Sequence, residues 1–426
     1  MRDIPGPPAQ SDGGLSAIAD AGGLHTYQLH LHETYGPLVR FQLPGASSAI
    51  SVADPVLLEA TAATNKRPDK LFEFLAPLCE AGNLQTLPAD EHAPFRRALL
   101  SVLAGRPSHE AHFPAFTTLA TDLADRWAGH AGPVALQQDL SELSLRMICQ
   151  YALGGGIDDP SRVVSAFETV LTVYLGRLYK HEDDLERAGR ALAYLREVVD
   201  GVLAADGSEL VTALVKAGLS PARVRDSVLM IMLAAHHTTG VAVSWTLHLL
   251  SRHPAHAVRV TEEVDAVLGD RPTPSYADLR RLPYLEMALK ESMRLYPPGP
   301  YGARETTEDL TLAGHPIPAG TTIFYPFWAI HLNPAYWPDP LTFLPDRFTP
   351  AEQAKRPRYA YVPFGLGPRN CEGASLAMIE AELVLAVLLK RFHFDPVAHH
   401  PVTPVERFVL WAEHDIHMHL TARHAA

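Results

Sequence analysis

The chain of 426 residues has little cysteine: Cys79, Cys149 and Cys371 only. So few cannot build a disulfide framework, which excludes a stapled secreted scaffold and leads us to expect a reduced, intracellular, cytoplasmic protein. It lacks surplus positive charge. Its 36 Lys and Arg against 48 Asp and Glu leave a formal net charge of −12, which argues against nucleic acid as a partner. No run of about 18 apolar residues occurs, so no membrane span is expected. The start, MRDIPGPPAQSDGG, has neither the basic nor the apolar region of a signal peptide. The tail HDIHMHLTARHAA has no lipidation signal. There is no internal repeat and no Gly-rich dinucleotide fingerprint, because LGGGIDD (153–159) lacks the strand–turn–helix context. What is present, 47% hydrophobic and 20% charged residues, suits a globular chain with a large core.

The pattern predicts a mainly α protein with small β-sheets. Residues 1–24 read as an irregular, Pro/Gly-rich lead and 25–426 as one domain. Residues 38–44 and 49–54 read as strands around a turn, 88–295 as mostly helical, and 309–327 as a β-hairpin with Gly314 and Pro316 at its tip. A Pro-rich irregular stretch, a last helix and a β-rich tail follow. The longest helix starts at Ser220 as N-cap with Pro221 at the first position and ends before Pro254. At about 1.5 Å per residue it spans ~50 Å. Its middle is apolar nearly all round, yet it contains HHTT, either satisfied core polar groups or functional ones.

Cys371 sits in FGLGPRNCEG, just before an apolar helical run. Unpaired N–H groups and the dipole at that helix start are expected to lower its thiol pKa. Gly365, Gly367 and Gly373 are expected to let backbone approach something bulky. Packing, nucleophile and metal ligand all remain open for it, whereas Cys79 and Cys149 read as core. Glu291 and Arg294 share one helix face at i,i+3, and Arg347 stands in FLPDRF. Alone, such a pair is an ordinary ion pair.

Taken together, AAHHTT, ESMR, PDRF and FGLGPRNCEG, in this order and with a likeness that covers about residues 30 to 424, resemble the cytochrome P450 superfamily of haem-thiolate monooxygenases. The resemblance implies a single large P450-type fold with haem b between a long distal helix and the cysteine-loop helix. It implies Cys371 as the proximal iron ligand, with Phe364 beside the sulfur and Gly373 among the cofactor-binding residues. Glu291, Arg294 and Arg347 become a buried network supporting the cysteine loop. His92 and Arg96 (i,i+4), Arg304 and Arg369 become contacts to the haem propionates. Thr238 becomes the threonine that helps deliver protons to dioxygen, its hydroxyl bonded to the Ala234 carbonyl. His237 stands where the pattern has Asp or Glu. Imidazole titrates near neutrality and is a candidate proton relay. This His also resembles the sterol 14-demethylase branch, whereas the lack of an anchor resembles soluble bacterial members.

By position the pocket candidates are Phe72, Phe74, Leu78, Leu84, Met230, Leu233, Ala234, Tyr301, Phe408 and Val409, which suggest a lipophilic terpenoid, steroid, fatty acid or polyketide. Electrons are expected from a ferredoxin or flavodoxin with its NAD(P)H reductase, docking near Lys355, Arg356 and Arg358. A monomer is expected. A haem-thiolate peroxygenase or isomerase, or a non-catalytic haem or ligand-binding protein, are the alternatives.

Overall fold

The computed structural model describes residues 3–423 apart from 45, 47, 179–183 and 206. Helices build most of it, around the continuous helix Pro221–Arg252. The Ser220 side chain caps its start, accepting from Arg223 N–H. Helices Leu136–Ala152, Pro283–Leu295 and Ala374–Arg391 and the tail strand Val409–Ala412 pack around it. The first crossing depends on one glycine. A Cβ on Gly240 would lie 2.7 Å from the backbone carbon of Leu140. Gly240→Val is therefore expected to force the two helices apart and cost about 1–3 kcal/mol, as overpacking does, read as a lowered denaturant midpoint.

By length and composition Pro221–Arg252 alone among the described residues is long and apolar enough to cross a membrane. Yet 78% of its most apolar window is buried within the fold, so packing accounts for that apolar character.

A four-stranded sheet runs in the order Leu38–Phe41, Ala49–Val52, Thr322–Tyr325, Gly302–Glu305. Its middle pair is parallel and the outer pairs antiparallel. The turn expected at 45–48 lies partly outside the described residues. The stretch expected to be a hairpin is split. Leu310–Leu312 and His315–Ile317 pair around Ala313-Gly314, both at positive φ, while Thr322–Tyr325 leaves to join the larger sheet. Pro316 lies opposite Thr311 inside the hairpin, not at its tip, which a two-stranded edge tolerates.

The lead is not irregular throughout. Leu15–Asp20 is helical, Ile4 and Ile18 are buried, and Arg40 N–H donates to Pro5 O at 2.8 Å. Short apolar spacing hidden among Pro and Gly conceals this packing in the sequence.

Candidate active site

Cys371 is held by a tight loop. Its N–H donates to Phe364 O at 2.9 Å, and Gly365 and Gly367 take φ of 75° and 66°. A Cβ on Gly367 would lie 1.8 Å from Ala62 O, so that glycine serves backbone packing, not approach to a ligand. Only Gly373, with nothing nearer than the Cys371 Sγ at 4.0 Å, leaves room beside the sulfur.

The residue keeps accessible surface although it lies deep among protein atoms. The two facts agree because that surface faces an internal cavity of about 380 Å³ and an adjoining one of about 110 Å³, both lined by Cys371. The expected drop in thiol pKa does not occur. Burial, then the Glu372 carboxylate, push it up to about 11, against weaker opposite effects of Gly373 N–H and Arg96. Desolvation overrides the helix dipole. Metal coordination deprotonates a thiol outright, so a raised thiol pKa is compatible with ligation. Among the described residues no group of three His, Cys, Asp or Glu could hold a metal ion. Cys371 therefore suits a metal carried by a cofactor. Cys79 and Cys149 are core as expected, with thiols pushed up to about 11 and 12, chiefly by burial.

Opposite the thiol, the long helix presents Met230, Ala234 and Thr238 at four-residue spacing. Ala234 is exposed in the middle of a buried helix because it faces this cavity. Thr238 Oγ1 donates to Ala234 O at 2.9 Å, as expected.

His237 is elsewhere. Successive helical residues diverge by about 100°, and its ring turns to the opposite wall. Nδ1 is 3.2 Å from Ser141 Oγ, Nε2 is 3.9 Å from Glu168 Oε1, and Trp411 packs edge-on. It lines a different, larger cavity of about 750 Å³, so the expectation that it acts beside Thr238 is corrected. Burial, and then His236, hold its pKa well below the usual value, so it is neutral at pH 7. We place the site in the smaller cavity because the thiol and the threonine both open onto it.

Arg67, Arg304 and Arg369 line the Cys371 cavity. Arg369 donates to the carbonyls of Asn65, Leu84 and Leu87, and Arg304 to those of Ala303 and Leu366. Burial pushes Arg369 down to about 10, with Arg304 adding to the shift; Arg67 is held well below its usual value by burial and then by Arg304 and Arg369. Guanidinium stays charged in proteins, so this crowding calls for anions. Arg67 was not among the sequence candidates. Its only signal is its place before Pro68 and the aromatic 72–74 segment.

His92 and Arg96 stand behind the cavity wall. Arg96 donates to Asn370 O at 2.7 Å and Asn370 Oδ1 at 2.6 Å and pairs with Glu372, bracing the cysteine loop. This corrects its expected place at a propionate. His92 is 1% exposed, its Nε2 has no hydrogen-bond partner, and burial and the surrounding arginines push it to about 4.

The network is as expected. Arg294 grips Glu291 through Nε (2.7 Å) and Nη2 (2.8 Å), and both are fully buried. Arg347 Nε lies 3.3 Å from Glu291 Oε1, an ion pair too poorly aligned for a hydrogen bond. Arg294 also donates to the carbonyls of His331 and Pro340, so the network anchors the Pro-rich stretch leading to the cysteine loop.

Seven pocket candidates line the cavity: Phe72, Phe74, Met230, Ala234, Tyr301, Phe408 and Val409. Phe408 does so from a backbone at φ 68°, unusual for a non-glycine residue and typical of functional sites. Leu84 lines the small adjoining cavity. Leu78 and Leu233 are corrected to core, because each points from its helical turn away from the cavity. The basic patch is also corrected. Arg356 stacks over Trp337 at 4.1 Å and donates to Arg347 O, leaving Lys355 and Arg358 exposed.

These residues fit haem: a lone thiol on one side, an apolar helix face on the other, and crowded cations with unpartnered Arg67 Nε and His92 Nε2 nearby. The cytochrome P450 family model matches residues 5–418. Similar curated proteins include rat cytochrome P450 4X1 (38% identical over 47% of this chain), human cytochrome P450 4Z1 (38% over 47%) and Drosophila melanogaster cytochrome P450 4c3 (40% over 42%). The matched stretches cover 40%, 40% and 34% of those relatives' lengths. With the match spanning nearly the whole chain, and Cys371 and Thr238 of its motifs meeting at one cavity, the chain belongs to the cytochrome P450 family.

Proposed function

We propose that this protein is a haem-thiolate monooxygenase, inserting one oxygen atom of dioxygen into a lipophilic terpenoid, steroid, fatty acid or polyketide. The carrying observation is that Cys371 and Thr238 open onto the same cavity, with Arg67, Arg304 and Arg369 in its wall. Haem b held by Cys371 supplies dioxygen activation, which thiolate donation assists. The chain's own residues do the rest. The three arginines bind and orient the haem carboxylates. Thr238 Oγ1 directs its proton to Ala234 O and keeps lone pairs free to accept from a water in the cavity, holding it for proton delivery. Phe72, Phe74 and Phe408 exclude other water and pack against an apolar substrate.

Electrons come from a ferredoxin or flavodoxin with its NAD(P)H reductase. What remains exposed of the basic segment, Arg358 and the Lys355 that pairs with Glu352, supports that reading only as a weakly charged docking face. Retained Thr238 favours this over a peroxygenase or isomerase.

Labelled dioxygen tests it: the reading requires one labelled atom in the product, and label-free product contradicts it. Thr238→Ala is expected to lower product formed per oxygen consumed by about tenfold and raise peroxide release, less than the ~100-fold or more of a full general acid–base role because water in the cavity takes over part of the proton delivery. In the same assay His237→Ala, on the other helix face, is expected to stay within about twofold of native. Equal uncoupling would instead mark a proton route through Glu168 and His237.

A further inference from the structure

The Cys371 cavity adjoins the cavity of about 750 Å³ that His237 lines, and the two share Leu24, Leu175 and Glu406 as walls. Glu406 belongs to the tail strand Pro404–Arg407, which turns at the strained Phe408. Its Oε1 accepts from the Tyr301 hydroxyl, and its Oε2 lies 3.6 Å from His25 Nδ1, too far for a hydrogen bond. Among the described residues no Lys or Arg pairs with it.

His25 is the second observation. It is 3% exposed, stacks on Trp328 at 5.6 Å, lines the larger cavity, and neither ring nitrogen has a hydrogen-bond partner. Buried polar atoms are almost always satisfied. A carboxylate paired with no Lys or Arg and an imidazole without a hydrogen bond, 3.6 Å apart where two cavities meet, leave a place for a polar group of a ligand.

The chemistry selects that group. Glu406 accepts, and Tyr301 already gives it its only proton. A neutral imidazole offers one donor and one acceptor in either tautomer. A ligand hydroxyl, which donates and accepts at once, satisfies Glu406 and His25 together. A ligand carboxylate cannot donate, and it would set like charges together in a poorly hydrated space. The cavity's own cations, Arg67, Arg304 and Arg369, crowd one another and on the haem reading already hold its two carboxylates.

We propose that Glu406, with Tyr301 and His25, anchors the hydroxyl of a lipophilic alcohol at the passage between the two cavities and discriminates against free carboxylic acids. This rests on the monooxygenase reading and narrows its substrate class toward hydroxylated terpenoids and steroids over free fatty acids.

The test compares 1-dodecanol with dodecanoate, which share a chain and differ in head group, by displacement of the Soret band on haem-loaded protein. The reduced carbon monoxide spectrum is recorded first. If it lacks the thiolate form, both readings fall. With that spectrum normal, the alcohol is expected to bind at least about tenfold more tightly than the acid, and Glu406→Gln to narrow the ratio to about threefold or less by improving acid binding. Equal or tighter binding of the acid, no binding of either, or an unchanged ratio in Glu406→Gln overturns the anchor and leaves the haem reading standing. Should the variant fail to load haem, the ratio in the native protein decides alone.

Discussion

Cys371→Ala abolishes the thiolate-type carbon monoxide difference spectrum of the reduced protein. The effect is all or none because nothing else can take the place of the sulfur. Cys79 and Cys149 are buried in the core outside the cavity, their thiols pushed up to about 11 and 12, and among the described residues lining the two cavities that Cys371 faces there is no His and no other Cys. The rest of the site should survive: the arginines hold carboxylates independently of the iron, and Ala fits a loop whose backbone hydrogen bond from Cys371 N–H to Phe364 O needs no side chain. Haem retained without the thiolate signature is therefore the expected outcome, read by comparing total haem with the carbon monoxide spectrum. An unchanged spectrum would show that another group ligates the iron.

Arg294→Ala lowers stability by roughly 3–5 kcal/mol, the cost of leaving a buried carboxylate without its partner. Arg294 and Glu291 have no exposed side-chain surface, and Arg294 also satisfies the carbonyls of His331 and Pro340. Glu291 Oε1 further accepts from Leu344 N–H, so the lost cation strands a carboxylate committed to the backbone. Lys does not rescue, because an ammonium cannot supply the paired Nε and Nη2 bonds and still reach both carbonyls. By contrast, removing the exposed pair Lys355–Glu352 should change stability by less than about 0.5 kcal/mol. Denaturant midpoints at constant slope read both. A loss below about 1 kcal/mol in Arg294→Ala would mean that the network is not what holds the Pro-rich stretch in place.

The elements and residues legible in the sequence are those whose local rule agrees with their surroundings. The long helix carries its cap, its proline and its apolar girth in its own letters, and Glu291 and Arg294 share a face by spacing alone. Thr238 and Ala234 likewise follow from one four-residue step. The misreadings are tertiary. Neighbouring His237 and Thr238 fall on different faces of the helix, about 100° apart, which the sequence states only through helical geometry and not through which wall each face meets. Leu78 and Leu233 have the same apolar character as Phe74 and Met230, and only packing separates core from cavity. Gly367 is glycine because of Ala62, some 300 positions away in the chain. The thiol of Cys371 defied the helix-dipole rule because burial and Glu372 outweigh partial charges at a helix start. Arg67 escaped notice because a lone arginine before a proline is ordinary until Arg304 and Arg369 fold against it.

Iron-edge X-ray absorption on the haem-loaded protein tests the central claim most directly. The account predicts one sulfur atom in the iron's first coordination shell of the native protein and its loss in Cys371→Ala. A shell of nitrogen and oxygen alone in the native protein, or a sulfur that persists in the variant, would contradict it.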